Sequence, residues 1–376
     1  MTELVEHLFR HESGRMVSTL VRILGPRHLD LAEEVVQDAL VRALDLWPYQ
    51  GVPDNPTAWL IQVARNKALD RLRRETRVEG NAEERLRHWE APPVAADDEA
   101  AMLLLCCQPE LPRESQVALA LKTVCGFSVA EIARAFLTQE STIAQRLVRA
   151  KRVLREVPLQ EPQQETIFEI LYLLFNEGYS ASAGENLVRA DLCDEAIRMA
   201  RWFTDAPEGS ALLSLFLLQS ARLSARTDEA GELVLLEDQD RGRWDAGRVA
   251  EGFQWLDRSA RGDRLSSYHV EAGIAAAHCV EPTDWRGILS LYDQLWRLKP
   301  TPIVALNRAV AVAKVHGADE GLRALPELEG YYLLDAVKAR MLEWAGRAAE
   351  ARACYRAALA GAPTAVEQRY LEKQIV

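Results

Sequence analysis

The chain has 376 residues, 48% of them apolar and 27% charged, and a formal net charge of −11. That length exceeds one ordinary domain, and that composition supports packed cores rather than a disordered polymer. Its apolar runs, such as Ala211–Leu218, fall far short of the roughly 20 residues that span a bilayer, and the opening Glu3, Glu6 and His7 lack a secretion-signal pattern, which points to a cytoplasmic protein without a membrane role.

Helical periodicity runs through the chain and no alternating strand pattern interrupts it, so an all-α fold is expected. Residues 2–24 read as a helix ended by Gly25-Pro26, and Asp30 as the N-cap of a second helix running to about Trp47. Val35, Val36, Ala39, Ala43 and Leu46 give that helix its apolar face. A Pro-rich turn, WPYQGVPDNP, precedes a long helix from about Pro56 to Glu75, whose stripe of Ile61, Ala64, Ala68 and Leu72 leaves Gln62, Asn66, Asp70 and Arg73 on another face. Residues 76–98, acidic and with Pro92-Pro93, read as a linker. A helical module over 99–157 and a longer helical region over 163–376 follow.

The excess of negative charge is unevenly placed. Residues 1–157 carry a balance of −2 and residues 158–376 one of −9. Within the first part, Arg65–Arg77 holds six positive and two negative side chains, and Ser141–Arg155 five positive and none negative. Such local patches, rather than total charge, form a phosphate-binding footprint.

The second patch belongs to a helix-turn-helix pattern, SVAEIARAFLTQESTIAQRLVRAKRVL, from Ser128 to Leu154. Ser128 and Glu131 have the spacing of a capping box. Ile132, Ala133 and Phe136 are expected inside, and Ser141 or Thr142 begins the second helix with Ile143 and Leu147 buried. Thr142, Gln145, Arg146, Arg149, Lys151 and Arg152 are then expected to face outward, as a recognition helix requires: polar groups near its start for base edges, and cations beyond them for phosphate.

EIARAFLTQESTIAQRLVRA (Glu131–Ala150) resembles region four of the sigma-70 family, and LPRESQVALALKTVCGFS (Leu111–Ser128) is similar to the helix and turn that precede it there. Leu137 departs from the glycine usual at the turn. DLAEEVVQDALVRAL (Asp30–Leu44) resembles the region-two helix that docks on the clamp helices of the polymerase largest subunit, which implies Glu34, Gln37, Asp38 and Arg42 as polymerase contacts. NPTAWLIQVARNKALDRLRRE (Asn55–Glu75) resembles the minus-ten recognition helix of the extracytoplasmic-function (ECF) subfamily. That resemblance implies Trp59, Arg65, Asn66, Lys67, Asp70, Arg73 and Arg74 as DNA contacts, with Arg71 adding charge. Trp59 could stack on an unpaired base or fill the core. The two modules occur in the ECF order over the first 157 residues. The expected organisation is therefore region two over 1–76, a linker over 77–98, region four over 99–157 and a helical extension over 163–376. The implied partners are core RNA polymerase and promoter DNA.

The extension carries LFNEGYSAS, LVRADLCDEAIR, LLEDQDRGRWD and LNRAVAVA, segments similar to those of one sigma subfamily with a long C-terminal extension. Its last hundred residues repeat. Gly346, Ala351, Tyr355, Ala358 and Pro363, with Ala339 and Leu342 on the preceding helix, have tetratricopeptide spacing. Ala276, Ile288, Tyr292, Leu295 and Pro300 repeat it, and Leu306, Ala309, Val310, Ala313 and Gly317 form a shortened middle unit. A tetratricopeptide-like array over about 269–365 is expected, with a protein partner as its possible ligand.

An enzyme could be sought in Glu237, Asp238, Asp240 and Asp245 as a metal cluster, but no phosphate loop, nucleophile elbow or paired histidine accompanies them. Capping and ion pairs with Arg241, Arg243 and Arg248 explain these charges more simply. The six cysteines show no CxxC or other metal spacing and read as buried thiols. No catalytic residue, metal or cofactor is expected. A DNA-binding activator with a tetratricopeptide sensor is the alternative reading, and residues 30–75 argue against it, since an activator needs no polymerase-docking helix.

Overall fold

The structure, a computed structural model, describes residues 2–74, 96–136, 138–156, 164–181, 186–328 and 330–375. Among these residues the fold is all-α, without a strand beyond an isolated antiparallel bridge between Thr227 and Leu233. The chain divides into two compact units, 1–170 and 171–376. No helix among the described residues is long and apolar enough to cross a membrane.

The first unit opens with α1 (Thr2–Leu24), α2 (Leu29–Gln50) and α3 (Pro56–Arg74). Their apolar stripes meet in one core: Met16, Leu20 and Val21 from α1, Val35, Ala39 and Trp47 from α2, and Leu60, Ala64, Ala68 and Leu72 from α3 are all buried. Two expectations change here. Asp30 does not cap α2, because a short 3-10 turn, Pro26–His28, runs straight into the helix and His28 takes the N-cap position. Asp30 instead falls in the first turn, where a carboxylate suits the helix dipole. Nor does Pro48 begin the turn. The helix continues through it to Gln50, because the carbonyl Pro48 leaves unbonded is that of Leu44, on an exposed face where water can satisfy it. Gly51, at φ +84°, ends the helix.

The second part of this unit consists of α4 (Ala96–Cys106), α5 (Arg113–Thr123), α6 (Val129–Ala135) and α7 (Glu140–Glu156). Residues 75–95, which take in most of the predicted linker, and Leu137 at the predicted tight turn lie outside the described residues. The end of that linker is helical rather than open, and Asp98, with Glu99 just beyond the linker, faces inward. Asp98 accepts a hydrogen bond from Thr19 Oγ1 at 2.8 Å and pairs with Arg22 at 2.5 Å, and Glu99 pairs with Arg15 at 3.4 Å. Buried carboxylates need such partners, so this contact fixes α4 against α1. Gly14 permits α1 to approach the end of α5 closely, since a Cβ there would overlap the Val124 carbonyl oxygen.

In the second unit, α8 (Gln164–Tyr179), whose first turns belong to the first unit, leads to α9 (Ala190–Ala200), α10 (Pro207–Ser220) and α11 (Ala246–Ser259). Helix α10 is buried on every side from Gly209 to Leu218, which explains its continuous apolar run. Phe216 stacks on Phe175 at 4.3 Å, and Ser214 donates to the Gly252 carbonyl at 2.8 Å. The hairpins that follow are α12 (Ser267–His278) with α13 (Trp285–Leu298), α14 (Pro302–His316) with the six-residue α15 (Ala318–Arg323), and α16 (Tyr332–Trp344) with α17 (Ala348–Gly361). Helix α18 (Ala365–Ile375) closes the array. Ala339, Leu342, Ala351, Tyr355 and Ala358 share one core cluster. Gly317, at φ +101°, makes the sharp reversal between α14 and the short α15.

Candidate nucleic-acid interface

Two surfaces carry the predicted residues, both in the first unit. On the first, α2 and α3 lie side by side with their polar faces outward. Glu34 pairs with Arg71, and Asp38 with Lys67 at 2.8 Å. The residues implied for polymerase docking and those implied for DNA therefore form one continuous surface, with Gln37 and Arg42 exposed on α2. On α3, Asn66 is exposed and accepts from Gln62 at 3.0 Å, and Asp70 lies 3.9 Å from Arg73. Arg65 is half-buried. Arg74 ends the helix, and its side chain lies outside the described ones. Trp59 is half-buried with its ring 5.5 Å from that of fully buried Trp47, so it forms part of the core edge while keeping one side accessible. At the end of α2, Tyr49 is 90% exposed. Resemblance to the family marks the loop from Trp47 to Pro56 as the place for a flipped base, but sequence reasoning did not single out that ring.

The second surface is the helix-turn-helix of α6 and α7. The capping box forms as its spacing requires: the Glu131 amide donates to Ser128 Oγ at 3.1 Å, and the Ser128 amide to the Glu131 carboxylate at 2.7 Å. Helix α7 begins at Glu140, a residue or two before the predicted start. It buries Ile143, Leu147, Ala150 and Leu154 and exposes Thr142, Gln145, Val148, Arg149 and Arg152. Val148, 67% exposed among polar neighbours, was not singled out by sequence reasoning, and an apolar group there is suited to a thymine methyl.

Two of the six residues expected to face outward do not. Arg146 pairs with Glu114 at 2.6 Å and lies over the Phe136 ring at 5.6 Å. Lys151 is mostly buried, pairing with Glu33 and, at 3.2 Å, with Asp30, and Arg155 joins Asp30 at 3.2 Å. The helical period explains the inward turn, since Lys151 falls one turn from both Leu147 and Leu154 on the packed side. Burial pulls the Lys151 pKa down, but Glu33 and Asp30 more than offset it and hold the ammonium above its usual range.

The acids considered as a metal cluster are dispersed. Asp240 accepts from the Gly242 amide, Asp245 caps α11 through the Arg248 amide, and Glu237 meets Lys314 and Arg340. Of the expected arginine partners, Arg248 lies 3.6 Å from Asp245, whereas Arg241 pairs with Glu281 and Arg243 binds backbone carbonyls. Among the described residues no group of three potential ligands could hold a metal ion. All six cysteines are free. Burial pushes the thiols of Cys106 and Cys193 up to about 12, far from a reactive thiolate.

A helical module with an outward polar face, followed by a capped helix-turn-helix with a cationic second helix, defines a helical nucleic-acid-binding protein. The family model described as Sigma-70 region 2 matches residues 8–78, and that described as Sigma-70, region 4 matches residues 101–154. A family of unknown function (DUF6596) matches residues 163–260. An uncharacterized protein of Rhizobium meliloti (strain 1021) is 41% identical over 381 residues, spanning 93% of this chain and 90% of that one. No solved structure matches. The chain belongs to the sigma-70 family, whose members are non-enzymatic transcription initiation factors that work with core RNA polymerase and promoter DNA.

Proposed function

We propose that the chain is an ECF-type sigma factor acting in the cytoplasm. It joins core polymerase through Glu34, Gln37, Asp38 and Arg42 on α2, meets the minus-ten element with α3, and meets the minus-thirty-five element with Thr142, Gln145, Arg149 and Arg152 on α7. Arg146 and Lys151 serve the phosphate backbone once their acidic partners release them. Melting then follows from capture of exposed bases, and the step needs no covalent chemistry or cofactor.

The observation that carries this reading is the shared surface of α2 and α3, tied by Glu34–Arg71 and Asp38–Lys67, in the same chain as a helix-turn-helix. A DNA-binding activator would have no use for that surface. Gel filtration with core polymerase in the absence of DNA separates the two: a sigma factor co-elutes, and an activator does not. A footprint of the open complex on genomic DNA then gives the promoter.

The extension we read as a tetratricopeptide-like regulatory or interaction module that takes a protein partner. Supporting this, small Ala339, Ala351 and Ala358 are buried where α16 and α17 pack, and Leu342 and Tyr355 fill the gap beside them.

A further inference from the structure

The second unit holds a cavity of about 550 Å³ that none of the surfaces above uses. Native interiors leave few voids larger than a water molecule, whereas small-molecule sites begin at roughly 300 Å³, so this space has the size of a ligand site rather than a packing fault. Its walls come from the segment 233–241 and from α13, α14, α16 and α18. Six tryptophan and tyrosine rings line it: Trp285, Tyr292, Tyr332, Trp344, Tyr355 and Tyr370. Aliphatic Val310, Leu333 and Val337 fill in between them.

The charges around the cavity cancel. Three cations, Lys314, Arg340 and Arg241, face three carboxylates, Glu237, Glu281 and Glu367. Glu237 is held by Lys314 at 2.5 Å and Arg340 at 2.9 Å, and Glu281 by Arg241 at 2.9 Å, while Glu367 accepts from Tyr332 at 2.7 Å. The Lys314 ammonium lies 4.0 Å from the centre of the Trp344 ring and 5.7 Å from that of Trp285, which holds its charge against the aromatic wall. The lining therefore carries no net charge, and a ligand ion of either sign meets no excess of counter-charge.

Two buried polar groups on lining residues are left unmet by the protein. Arg340 sends its two terminal nitrogens to Glu343 and Glu237, while its Nε–H donates to no protein atom. Gln239 Oε1 likewise accepts from none. Buried groups of this kind call for a partner.

We propose that this cavity is a binding site for a flat, uncharged organic molecule that offers a hydrogen-bond acceptor to Arg340. Aromatic walls select the planar body, the balanced charges reject ions, and the unmet Nε–H selects a carbonyl or similar oxygen. The site belongs to the extension alone and does not depend on the promoter or polymerase surfaces.

The test uses the full chain and the neutral naphthalene ketone Prodan, whose emission moves to the blue in an apolar site. Saturable one-to-one binding is expected, at least tenfold tighter than that of the anionic dye anilinonaphthalene sulfonate. Leu333→Trp narrows the cavity from a partly exposed position, 36% accessible, and is expected to weaken Prodan at least tenfold. Arg340→Lys keeps the charge that Glu237 needs but removes Nε, and a several-fold loss is expected. Circular dichroism and thermal melting establish that both variants are folded. No saturable binding, affinity untouched by Leu333→Trp, or equal affinity for the two dyes overturns the site, and affinity untouched by Arg340→Lys overturns the acceptor contact.

Discussion

At the scale of single residues, Arg149 is the side chain on α7 best placed for sequence reading. It is exposed, and among the described residues nothing engages it, in contrast to Arg146 and Lys151. Arg149→Ala is expected to weaken promoter binding by about 1–3 kcal/mol, the range for a bidentate contact to a guanine edge. Fluorescence anisotropy on the promoter and on a scrambled duplex checks this. An equal loss on both, with a shallower salt slope, would place Arg149 on phosphate instead. His278 in the extension makes a different prediction. Burial, helped by Arg222 and Arg241, pushes its pKa down to about 4 from an ordinary 6.5. The unfolded chain therefore takes up a proton at a pH where the folded one does not, so stability present above about pH 6.5 is lost as pH falls toward 4. Thermal melting of the protein across that window should show the decline, and His278→Asn should flatten it. The ring also meets Trp285 edge-on at 5.4 Å, so the variant starts from a lower melting temperature.

At the scale of elements, the α2–α3 surface allows docking to be separated from folding. Asp38→Lys breaks the pair with Lys67, and since both side chains are well exposed, the cost in stability is about 1 kcal/mol or less. Association with core polymerase is expected to fall much further. The double variant Asp38→Lys with Lys67→Asp restores an ion pair with its polarity reversed. If competition transcription against the unaltered protein recovers fully in the double variant, Asp38 acts through Lys67 and not on the polymerase. What was legible in the sequence at this scale follows the range of the forces. The capping box of Ser128 and Glu131 and the stripe of Ile61, Ala64, Ala68 and Leu72 are local and periodic, and they form as read. The inward turn of Lys151 was not legible, because its partners Asp30 and Glu33 lie well over a hundred residues earlier in the chain. Asp98 read as part of an acidic linker and Glu99 as the start of the next module, and only the packing of α4 on α1 brings Thr19, Arg22 and Arg15 to them. The cavity of the extension is likewise assembled from residues between Leu233 and Leu371, and no local pattern announces it.

At the scale of the whole molecule, both units are acidic. The first, ending at Ile170, carries −5 of the net −11, and the second carries the remaining −6. DNA is a dense anion, so a tethered acidic unit opposes binding at long range wherever it sits. Ending the chain after Ile170 keeps the buried Ile167 and Ile170 and the Arg113–Glu169 pair, so the first unit retains its own contacts. The shortened chain is expected to bind promoter DNA more tightly than the full one at low salt. The advantage should shrink toward zero as salt rises and the Debye length falls from about 30 Å at 0.01 M to about 8 Å at 0.15 M. Affinities for one duplex over a salt series, measured for both chains with circular dichroism as a check on folding, decide the matter. Parallel lines on a plot of log affinity against log salt, with no crossing toward high salt, would mean that the extension exerts no field on the DNA. Transcription from the same promoter separates repulsion from any positive role. If the shortened chain binds DNA more tightly yet transcribes less, the extension contributes after binding, through polymerase or a partner, and its acidity is a cost the protein tolerates for that contribution.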